Sequence, residues 1–251
     1  MPMFSLDGRT ALVTGAATGI GQTIAVKLAE AGCDVAVSDK PDVTLDETVE
    51  MCRVRAHVYS VPVDVRDLRQ IAAGVRSVEE KLGGIDILVN NAGINHPTPG
   101  LEVDEANWQD HFDTNVRGGF FCAQAVVPRM MEKGFGRIIF ISSQSGFIGI
   151  SGQPVYCASK GAIVNLVRSL GVEWARYNIT VNSVAPTFIE TDLTRERLQN
   201  PEFLSFVLGK IPKGELATSE DVAHAVIYLA SDEARMVNCF NLSVDGGWTA
   251  W

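Results

Sequence analysis

"TGAATGIG", residues 14–21, follows the β-branched run at 10–13 and precedes the helical pattern "QTIAVKLAEAG" at 22–32. The glycines at positions 15, 19 and 21 allow the backbone to turn tightly and to approach a ligand closely. A helix that begins here directs free N–H groups and the positive end of its dipole at a phosphate. The stretch therefore predicts a strand–loop–helix unit that binds a dinucleotide pyrophosphate. Its spacing differs from the commoner G-x-G-x-x-G, and a merely structural turn is the alternative.

The rest of the chain repeats this alternation of strand and helix. Further strand-type runs stand at 33–39, 57–64, 85–93, 136–143, 178–186 and 241–247, and helical patterns separate them. Such an order indicates a parallel sheet that is covered by helices on both faces. We find no composition break and no other internal repeat in the 251 residues. We therefore predict one doubly wound α/β (Rossmann-type) domain over residues 1–251, with a mostly or fully parallel sheet of about seven strands.

Composition and charge exclude several classes of function. The chain is 46% hydrophobic and 20% charged, which suits a globular protein with a sizeable core. A net charge of −9 argues against a partner with a phosphate backbone, so we expect no nucleic acid. The N-terminal residues lack the pattern of a signal peptide, and no apolar run approaches the ~18 residues of a membrane span. We expect a cytoplasmic location and no membrane partner.

The cysteines and histidines show no metal-binding pattern. The five cysteines, at 33, 52, 122, 157 and 239, are odd in number and lack a C-x-x-C pair, so buried free thiols are expected. The histidines at 57, 96, 111 and 224 lack metal-ligand spacing, so no metal site is predicted. Two of them, His111 and His224, fall in helical patterns and are expected to be structural.

Asp39 bears on the choice of cofactor. It ends the second predicted strand, 18 residues after Gly21. An acid at this point can accept hydrogen bonds from the diol of an adenosine ribose, and it repels a 2′-phosphate. No arginine stands at position 18 or 38, and Lys40 is the one nearby cation in the sequence. The sequence therefore favours NAD over NADP.

"GQPVYCASKG", residues 152–161, contains two reactive side chains, Tyr156 and Lys160. Pro154 suits a first helical turn, and positions i and i+4 lie on one face of a helix. An ammonium about 4 Å from a phenolate stabilises it by ~4 kcal/mol at an effective dielectric of ~20, or roughly 3 pKa units. We therefore expect Lys160 to lower the pKa of Tyr156 into the range of general acid–base catalysis. The alternative is a packed tyrosine beside a solvated lysine.

These motifs together resemble the short-chain dehydrogenase/reductase family. The matching features are "TGAATGIG" at 14–21, "NNAG" at 90–93, Asn115, Ser143, "YCASK" at 156–160 and "VDGG" at 244–247. The resemblance covers almost the whole chain, and several motifs in the right order at fitting separations are very specific. It implies an enzyme that interconverts a secondary alcohol and a ketone with a nicotinamide dinucleotide.

The resemblance also implies a role for each catalytic residue. Tyr156 is the acid–base group, and Lys160 lowers its pKa and binds the nicotinamide ribose. Ser143 holds the substrate oxygen; Ser142 is the competing candidate, and the family spacing favours Ser143. Asn115 distorts its helix and positions a water molecule joined to Lys160, although an asparagine taken alone is more often a surface residue.

Further residues are expected at the cofactor. The predicted set is Gly15, Thr18, Gly19, Ile20, Gly21, Asp39, Asp64, Val65, Asn91, Gly93, Tyr156, Lys160, Pro186, Ile189 and Thr191. Asp64 could instead cap the next helix. Where the family usually has Pro-Gly, this chain has Pro186-Thr187, and the added bulk leaves the shape of the substrate pocket open.

Three segments are expected to form the substrate pocket: 94–100, 144–153 and a helical lid near 187–208. The candidate substrate residues are Ser143, Asn95, His96, Gln153 and Glu190. Amides, hydroxyls and a carboxylate suit a substrate with several hydroxyl groups, because buried polar groups need partners. We therefore predict oxidation of a sugar, polyol or related secondary alcohol.

Two other functions remain open. A 3-oxoacyl thioester reductase would prefer NADP and a basic docking face, to which Arg129, Arg168 and Arg176 could contribute. A non-catalytic NAD-binding regulator is the other alternative, although the complete Asn, Ser, Tyr and Lys set argues against it.

The tail "VDGGWTAW" contains two tryptophans, Trp248 and Trp251. Tryptophan usually finds a partner for both its ring and its N–H group. The two rings pack either on their own subunit or across a two-fold interface. Because members of the resembled family are commonly tetramers, we predict a homotetramer in which the tail crosses the boundary.

Overall fold

The computed structural model describes residues 3–192 and 194–250. These residues form a seven-stranded parallel sheet in the order β3-β2-β1-β4-β5-β6-β7. The strands are β1 (Thr10–Thr14), β2 (Asp34–Ser38), β3 (Val58–Ser60), β4 (Ile87–Asn90), β5 (Gly136–Ile141), β6 (Ile179–Pro186) and β7 (Asn241–Val244). The strand order reverses between β1 and β4, which is where ligands bind in open α/β sheets. The predicted doubly wound, fully parallel sheet is confirmed.

Helices cover both faces of the sheet. They are α1 (Gly19–Glu30), α2 (Asp46–Arg53), α3 (Leu68–Leu82), α4 (Glu105–Phe112), α5 (Gly119–Lys133), α6 (Pro154–Trp174), α7 (Arg195–Leu198), α8 (Pro201–Lys210) and α9 (Ser219–Ala230). Successive strand residues point to opposite faces. In β1, Val13 belongs to the apolar cluster under α1 and α9, whereas Leu12 belongs to the cluster under α3, α5 and α6.

Residues 105–132 read as one long helix in the sequence, but in the structure this helix is interrupted. Between α4 and α5 the residues Asp113–Gly118 form a wider π-type turn. Gly118 packs so closely on Val65 that an added Cβ would lie 2.8 Å from its carbonyl oxygen. Sequence periodicity does not show this break, whereas the distortion at Asn115 that the family resemblance implies agrees with it.

The predicted lid also differs from a continuous helix. It consists of the short α7 and the longer α8, which are separated at Asn200. The Asn200 side chain accepts hydrogen bonds from the N–H groups of Glu202 (2.9 Å) and Phe203 (3.2 Å). A capping side chain followed by Pro201 starts a new helix, because proline suits the first turn and not a helix interior.

The tail packs on its own chain. Trp248 is 7% exposed and belongs to a small apolar cluster between the tail and α8. Its ring stacks on Phe188 at a centroid distance of 5.7 Å and meets Phe206 edge-on at 6.4 Å. Of the two alternatives for Trp248, packing within the subunit is therefore the one observed. Trp251 lies outside the described residues.

All five cysteines are free thiols, but only Cys33, Cys52 and Cys122 are buried as predicted; Cys157 and Cys239 are partly exposed. Burial raises the pKa of Cys52 to about 11 and that of Cys122 to about 12, so neither carries a reactive thiolate at neutral pH. Within residues 3–192 and 194–250, no cluster of three His, Cys, Asp or Glu side chains could hold a metal ion. No helix in that part of the chain is long and apolar enough to cross a bilayer.

Candidate active site

A cleft of about 510 Å³ opens at the carboxyl ends of the central strands. Because β1 to β6 run parallel, the residues that follow each strand meet at this one edge. All the residues that the sequence predicts at the cofactor line the cleft: Gly15, Thr18, Gly19, Ile20, Gly21, Asp39, Asp64, Val65, Asn91, Gly93, Tyr156, Lys160, Pro186, Ile189 and Thr191. Their shared location supports one binding site.

The glycine loop is fixed against the end of β4. The Asn91 side chain donates to the carbonyl oxygens of Thr14 (3.1 Å) and Gly15 (2.8 Å). Gly15 has a φ of 64°, and a Cβ there would lie 2.8 Å from the Cα of Ala92. α1 then begins at Gly19 with no side-chain cap and no acid in its first turn. The loop is thus a cradle that a Cβ would fill, and its N–H groups suit a pyrophosphate.

The carboxylate of Asp39 is fixed at the far end of this cradle. One oxygen accepts from the backbone N–H of Ala17 (3.1 Å), and the other accepts from the N–H of Lys40 (2.8 Å). Both bonds hold the charge at the end of β2, and each oxygen keeps a free lone pair for a ribose hydroxyl. The donor set therefore fits an adenosine ribose.

Asp64 has a different partner from the one that the capping alternative supposes. Its carboxylate forms an ion pair with Arg66 (2.8 Å), and this bond holds the pKa of Asp64 below its usual range. Asp67, not Asp64, caps α3 by accepting from the N–H groups of Arg69 and Gln70. Arg66 also lines the cleft, and sequence reasoning missed it. Its nearness in sequence to Asp64 and Val65 was the available signal.

Ser143 and Tyr156 meet in the middle of the cleft. The Ser143 side chain lies near the phenol of Tyr156 and acts to lower the pKa of that phenol. The hydroxyl of Ser142 instead donates to the Val184 carbonyl (3.1 Å) and to Ser183 (3.2 Å) on β6. Ser143 is therefore the serine whose side chain contacts Tyr156.

Burial dominates the pKa values of Tyr156 and Lys160. It raises the pKa of Tyr156 to about 12, which outweighs the opposite effect of the nearby Ser143 side chain. It lowers the pKa of Lys160 to about 8. The Lys160 Nζ atom lies 5.6 Å from the Tyr156 ring centroid and donates to the Ile141 carbonyl (2.9 Å). The ammonium is directed at this carbonyl, and the lowering of the Tyr156 pKa by Lys160 stays a prediction.

Asn115 is a buried connector. It is 3% exposed, so the surface alternative is wrong. Its Oδ1 accepts from the Ile94 N–H (2.8 Å), and its Nδ2 donates to the Ile94 carbonyl (3.0 Å) and to Ser159 (3.0 Å). The side chain does not line the cleft, and its proposed link to Lys160 through water stays a prediction.

The predicted substrate residues are only partly brought together. Ser143 and His96 line the cleft. Asn95 donates to Gln153 (2.8 Å), so these two amides bind each other beside the cleft. Glu190 is exposed and lies 3.8 Å from Arg195. Asn95, Gln153 and Glu190 do not line the cleft, and their contact with the substrate stays a prediction.

Several lining residues were missed or left open by sequence reasoning. Thr187, the departure from the usual Pro-Gly, lines the cleft and is 8% exposed. The others that sequence reasoning did not single out are Val63, Ala92, Ile94, Asp110, Thr114, Ile141, Asp192 and Thr194. Most flank a predicted residue by one or two positions, so adjacency was the available signal.

A cradle for a pyrophosphate and a Ser–Tyr–Lys group that can hold and move a proton thus share one cleft. That combination defines a dinucleotide-dependent oxidoreductase. A family model described as enoyl-(acyl carrier protein) reductase matches residues 15–249. The 2-dehydro-3-deoxy-D-gluconate 5-dehydrogenase of Dickeya dadantii is 37% identical, with 98% of each chain covered.

Two further relatives are similar over nearly the full length. A 3-oxoacyl-[acyl-carrier-protein] reductase of Staphylococcus aureus is 37% identical, over 95% of this chain and 97% of its own. The solved gluconate 5-dehydrogenase of Burkholderia cenocepacia, in complex with NADP and tartrate, is 35% identical with a TM-score of 0.93, over 99% of this chain and 98% of its own. The chain belongs to the short-chain dehydrogenase/reductase family.

Proposed function

We propose that the protein is an NAD-dependent dehydrogenase that oxidises a secondary hydroxyl group of a sugar, sugar acid or related polyol. The observation that carries this proposal is that Ser143, Tyr156 and Lys160 line the same cleft as the glycine loop. The printed names of two similar proteins, a gluconate and a dehydro-deoxygluconate dehydrogenase, support the substrate class.

The protein's own groups divide the proton chemistry between them. The Ser143 hydroxyl binds the substrate oxygen, and the deprotonated Tyr156 accepts the proton of the substrate hydroxyl. Lys160 stabilises the phenolate by its charge below a pKa of about 8. A bound oxidised nicotinamide would supply the hydride acceptor for the same carbon, and its positive charge would favour the phenolate. The glycine loop and Asp39 hold the rest of the cofactor.

The cofactor preference follows from Asp39. A 2′-phosphate would meet its carboxylate, which is held in place by Ala17 and Lys40. The nearby Arg66 is already paired with Asp64. We expect kcat/KM with NAD to exceed that with NADP by more than tenfold, or ~1.4 kcal/mol.

Steady-state kinetics with both cofactors checks this preference. Asp39→Asn should lower the ratio of kcat/KM with NAD to kcat/KM with NADP. The substitution removes the negative charge but keeps an oxygen that accepts from the Ala17 N–H. Asp42→Asn, at an exposed acid three residues further on, is the matched control and should leave the ratio unchanged. Equal kcat/KM values for NAD and NADP in the unaltered enzyme would refute the ribose role of Asp39.

The pH dependence follows from Tyr156. Its phenol is protonated below a pKa raised to about 12, so the phenolate fraction in the free protein grows as the pH rises. Alcohol oxidation needs the phenolate, whereas carbonyl reduction needs the phenol. We therefore expect kcat/KM for oxidation to increase from about pH 6 to pH 8 and kcat/KM for reduction not to increase. An oxidation rate that falls over this range would contradict the assignment.

A substrate panel tests the function as a whole. It contains polyols, sugars, sugar acids, hydroxy acids and 3-hydroxyacyl thioesters, and the formation of reduced NAD is followed by absorbance. Turnover of sugars or sugar acids supports the proposal. Preference for thioesters with NADP would favour the acyl-carrier-protein reductase alternative, which the S. aureus relative and the family-model description support. Binding of NAD without turnover of any alcohol would indicate the regulator.

We also propose a homotetramer, a cytoplasmic location and a lid formed by residues 187–208. Support for assembly comes from the exposed apolar side chains Val172, Met236 and Phe240. They lie near one another, because Asn238 donates to the carbonyl of Gly171 (2.8 Å). Light scattering on the purified protein decides the oligomeric state.

A further inference from the structure

His111 is a buried histidine whose two ring nitrogens are both bonded. It lies in the last turn of α4 and is 0% exposed. Its Nε2 lies 3.1 Å from the backbone nitrogen of His96, and its Nδ1 lies 2.8 Å from the carbonyl oxygen of Asn107. A backbone N–H can only donate, so Nε2 is the acceptor and Nδ1 carries the proton. The two bonds therefore specify a neutral ring with one tautomer.

Asn115 makes the neighbouring attachment to the same segment. It lies four residues after His111 and bonds both the N–H and the carbonyl of Ile94. A third attachment joins Asn107 to the hydroxyl of Thr98 (3.1 Å). Residues 94–98 are here called the β4 loop. This loop is thus held to α4 and the π-type turn at every second residue, namely 94, 96 and 98.

The β4 loop carries a side chain into the cleft. His96 lines the cleft together with Ser143 and Tyr156. The His111 ring packs edge-on to the His96 ring at 5.7 Å and to the Tyr156 ring at 6.4 Å. His111 itself does not line the cleft, so any effect on the reaction passes through its neighbours.

We propose that His111 is a positioning residue that fixes the β4 loop and so places His96 for contact with the substrate. This inference rests on the proposed function of the cleft. An apolar residue of similar size could fill the space, but it would leave the His96 N–H without an acceptor. The loop would then adopt other conformations, and the fraction of enzyme competent to bind substrate would fall.

The consequence separates substrate binding from chemistry. A lower competent fraction raises the apparent dissociation constant by the same factor. Ser143, Tyr156 and Lys160 lie after β5 and on α6, and the bonds of Asn115 that join Ile94 to Ser159 on α6 should remain when His111 is replaced. The glycine loop and Asp39 lie after β1 and β2. Loss of the His111 acceptor should therefore raise KM for the alcohol with little change in kcat or in the affinity for NADH.

Three substitutions of His111 distinguish the role of Nε2 from the role of Nδ1. His111→Gln can place an amide oxygen near the Nε2 position and should keep KM within about threefold of the original. His111→Asn reaches only as far as Nδ1, and His111→Leu makes neither bond. We expect both of these to raise KM about tenfold or more, equal to ~1.4 kcal/mol, with kcat changed by less than about threefold. His224→Gln and His224→Leu, at an exposed histidine of α9, are the matched controls.

Amide hydrogen exchange of the β4 loop supplies a readout that does not depend on turnover. Exchange at His96 should be faster in His111→Asn and His111→Leu than in the original protein and His111→Gln. If the original protein oxidises nothing in the substrate panel, the proposed function fails. Amide hydrogen exchange then still tests whether His111 fixes the β4 loop. If the enzyme is active, equal KM values in all three His111 variants or unchanged exchange would overturn the inference. Should His111→Leu fail to fold, the comparison of Asn with Gln decides.

Discussion

Tyr156→Phe is expected to lower the turnover number at least ~10²-fold while NAD still binds. The substitution keeps the ring, which packs edge-on against His111, and removes the hydroxyl that lines the cleft beside Ser143. The substrate proton then loses its proposed acceptor. Because the glycine loop and Asp39 are untouched, the dissociation constant for NADH should stay within about twofold of the original.

The control for this variant is Tyr59→Phe. The Tyr59 hydroxyl bonds Ser77 at 2.7 Å, on the far side of the sheet edge and outside the cleft. Its loss removes one ordinary hydrogen bond, which costs about 1 kcal/mol of stability and should leave turnover unchanged. Stopped-flow or steady-state measurement of NADH formation gives turnover, and fluorescence titration gives affinity. Near-normal turnover in Tyr156→Phe would exclude the proposed acid–base role.

The fold was predictable because its signals are local. Each β-branched run ends at a glycine, a proline or a polar residue, and the period changes between strand and helix. The sequence pattern did not predict the interruption at Asp113–Gly118 or the start of α8 at Pro201. The first depends on the close approach of Gly118 to Val65, which lies 53 positions earlier in the chain. Periodicity within one helix contains no information about such a contact.

The cofactor part of the candidate site was more predictable from the sequence than the substrate part. Cofactor residues follow strand ends, and parallel strands bring those ends to one edge, so sequence order alone groups them. The predicted substrate residues lie on loops, where local contacts and not sequence order determine the orientation of a side chain. Asn95 therefore binds Gln153, and Glu190 lies beside Arg195.

The direction of polar side chains and the effects of their burial were also not predictable from the sequence. The i, i+4 spacing of Tyr156 and Lys160 gives their proximity but not the direction of the ammonium, which the Ile141 carbonyl determines. Likewise, the helical pattern that includes His111 predicts a structural histidine. It does not show that the acceptor nitrogen faces the N–H of His96, which lies 15 residues earlier in the loop that follows β4.

Gly21→Ala is expected to lower the affinity for NAD at least ~10²-fold, or ~2.7 kcal/mol. Gly21 lies in the first turn of α1, and an added Cβ would stand 2.0 Å from the Gly15 carbonyl oxygen and 2.4 Å from the Asn91 Nδ2. These two atoms bond each other at 2.8 Å and hold the glycine loop against β4. Both must move to admit the methyl group, so the cradle for the pyrophosphate is lost.

A helix glycine elsewhere provides the matched control. Gly209 lies in α8, and an added Cβ there would meet nothing within 4 Å. Gly209→Ala should leave NAD affinity unchanged and raise stability by ~0.5–1 kcal/mol, because alanine loses less backbone entropy than glycine in a helix. In Gly21→Ala the same gain is offset by overpacking of ~1–3 kcal/mol or more. Fluorescence titration with NADH, thermal unfolding and far-UV circular dichroism on both variants separate loss of the cradle from loss of the fold. A folded Gly21→Ala protein that binds NADH as tightly as Gly209→Ala would show that the cofactor does not lie on this loop.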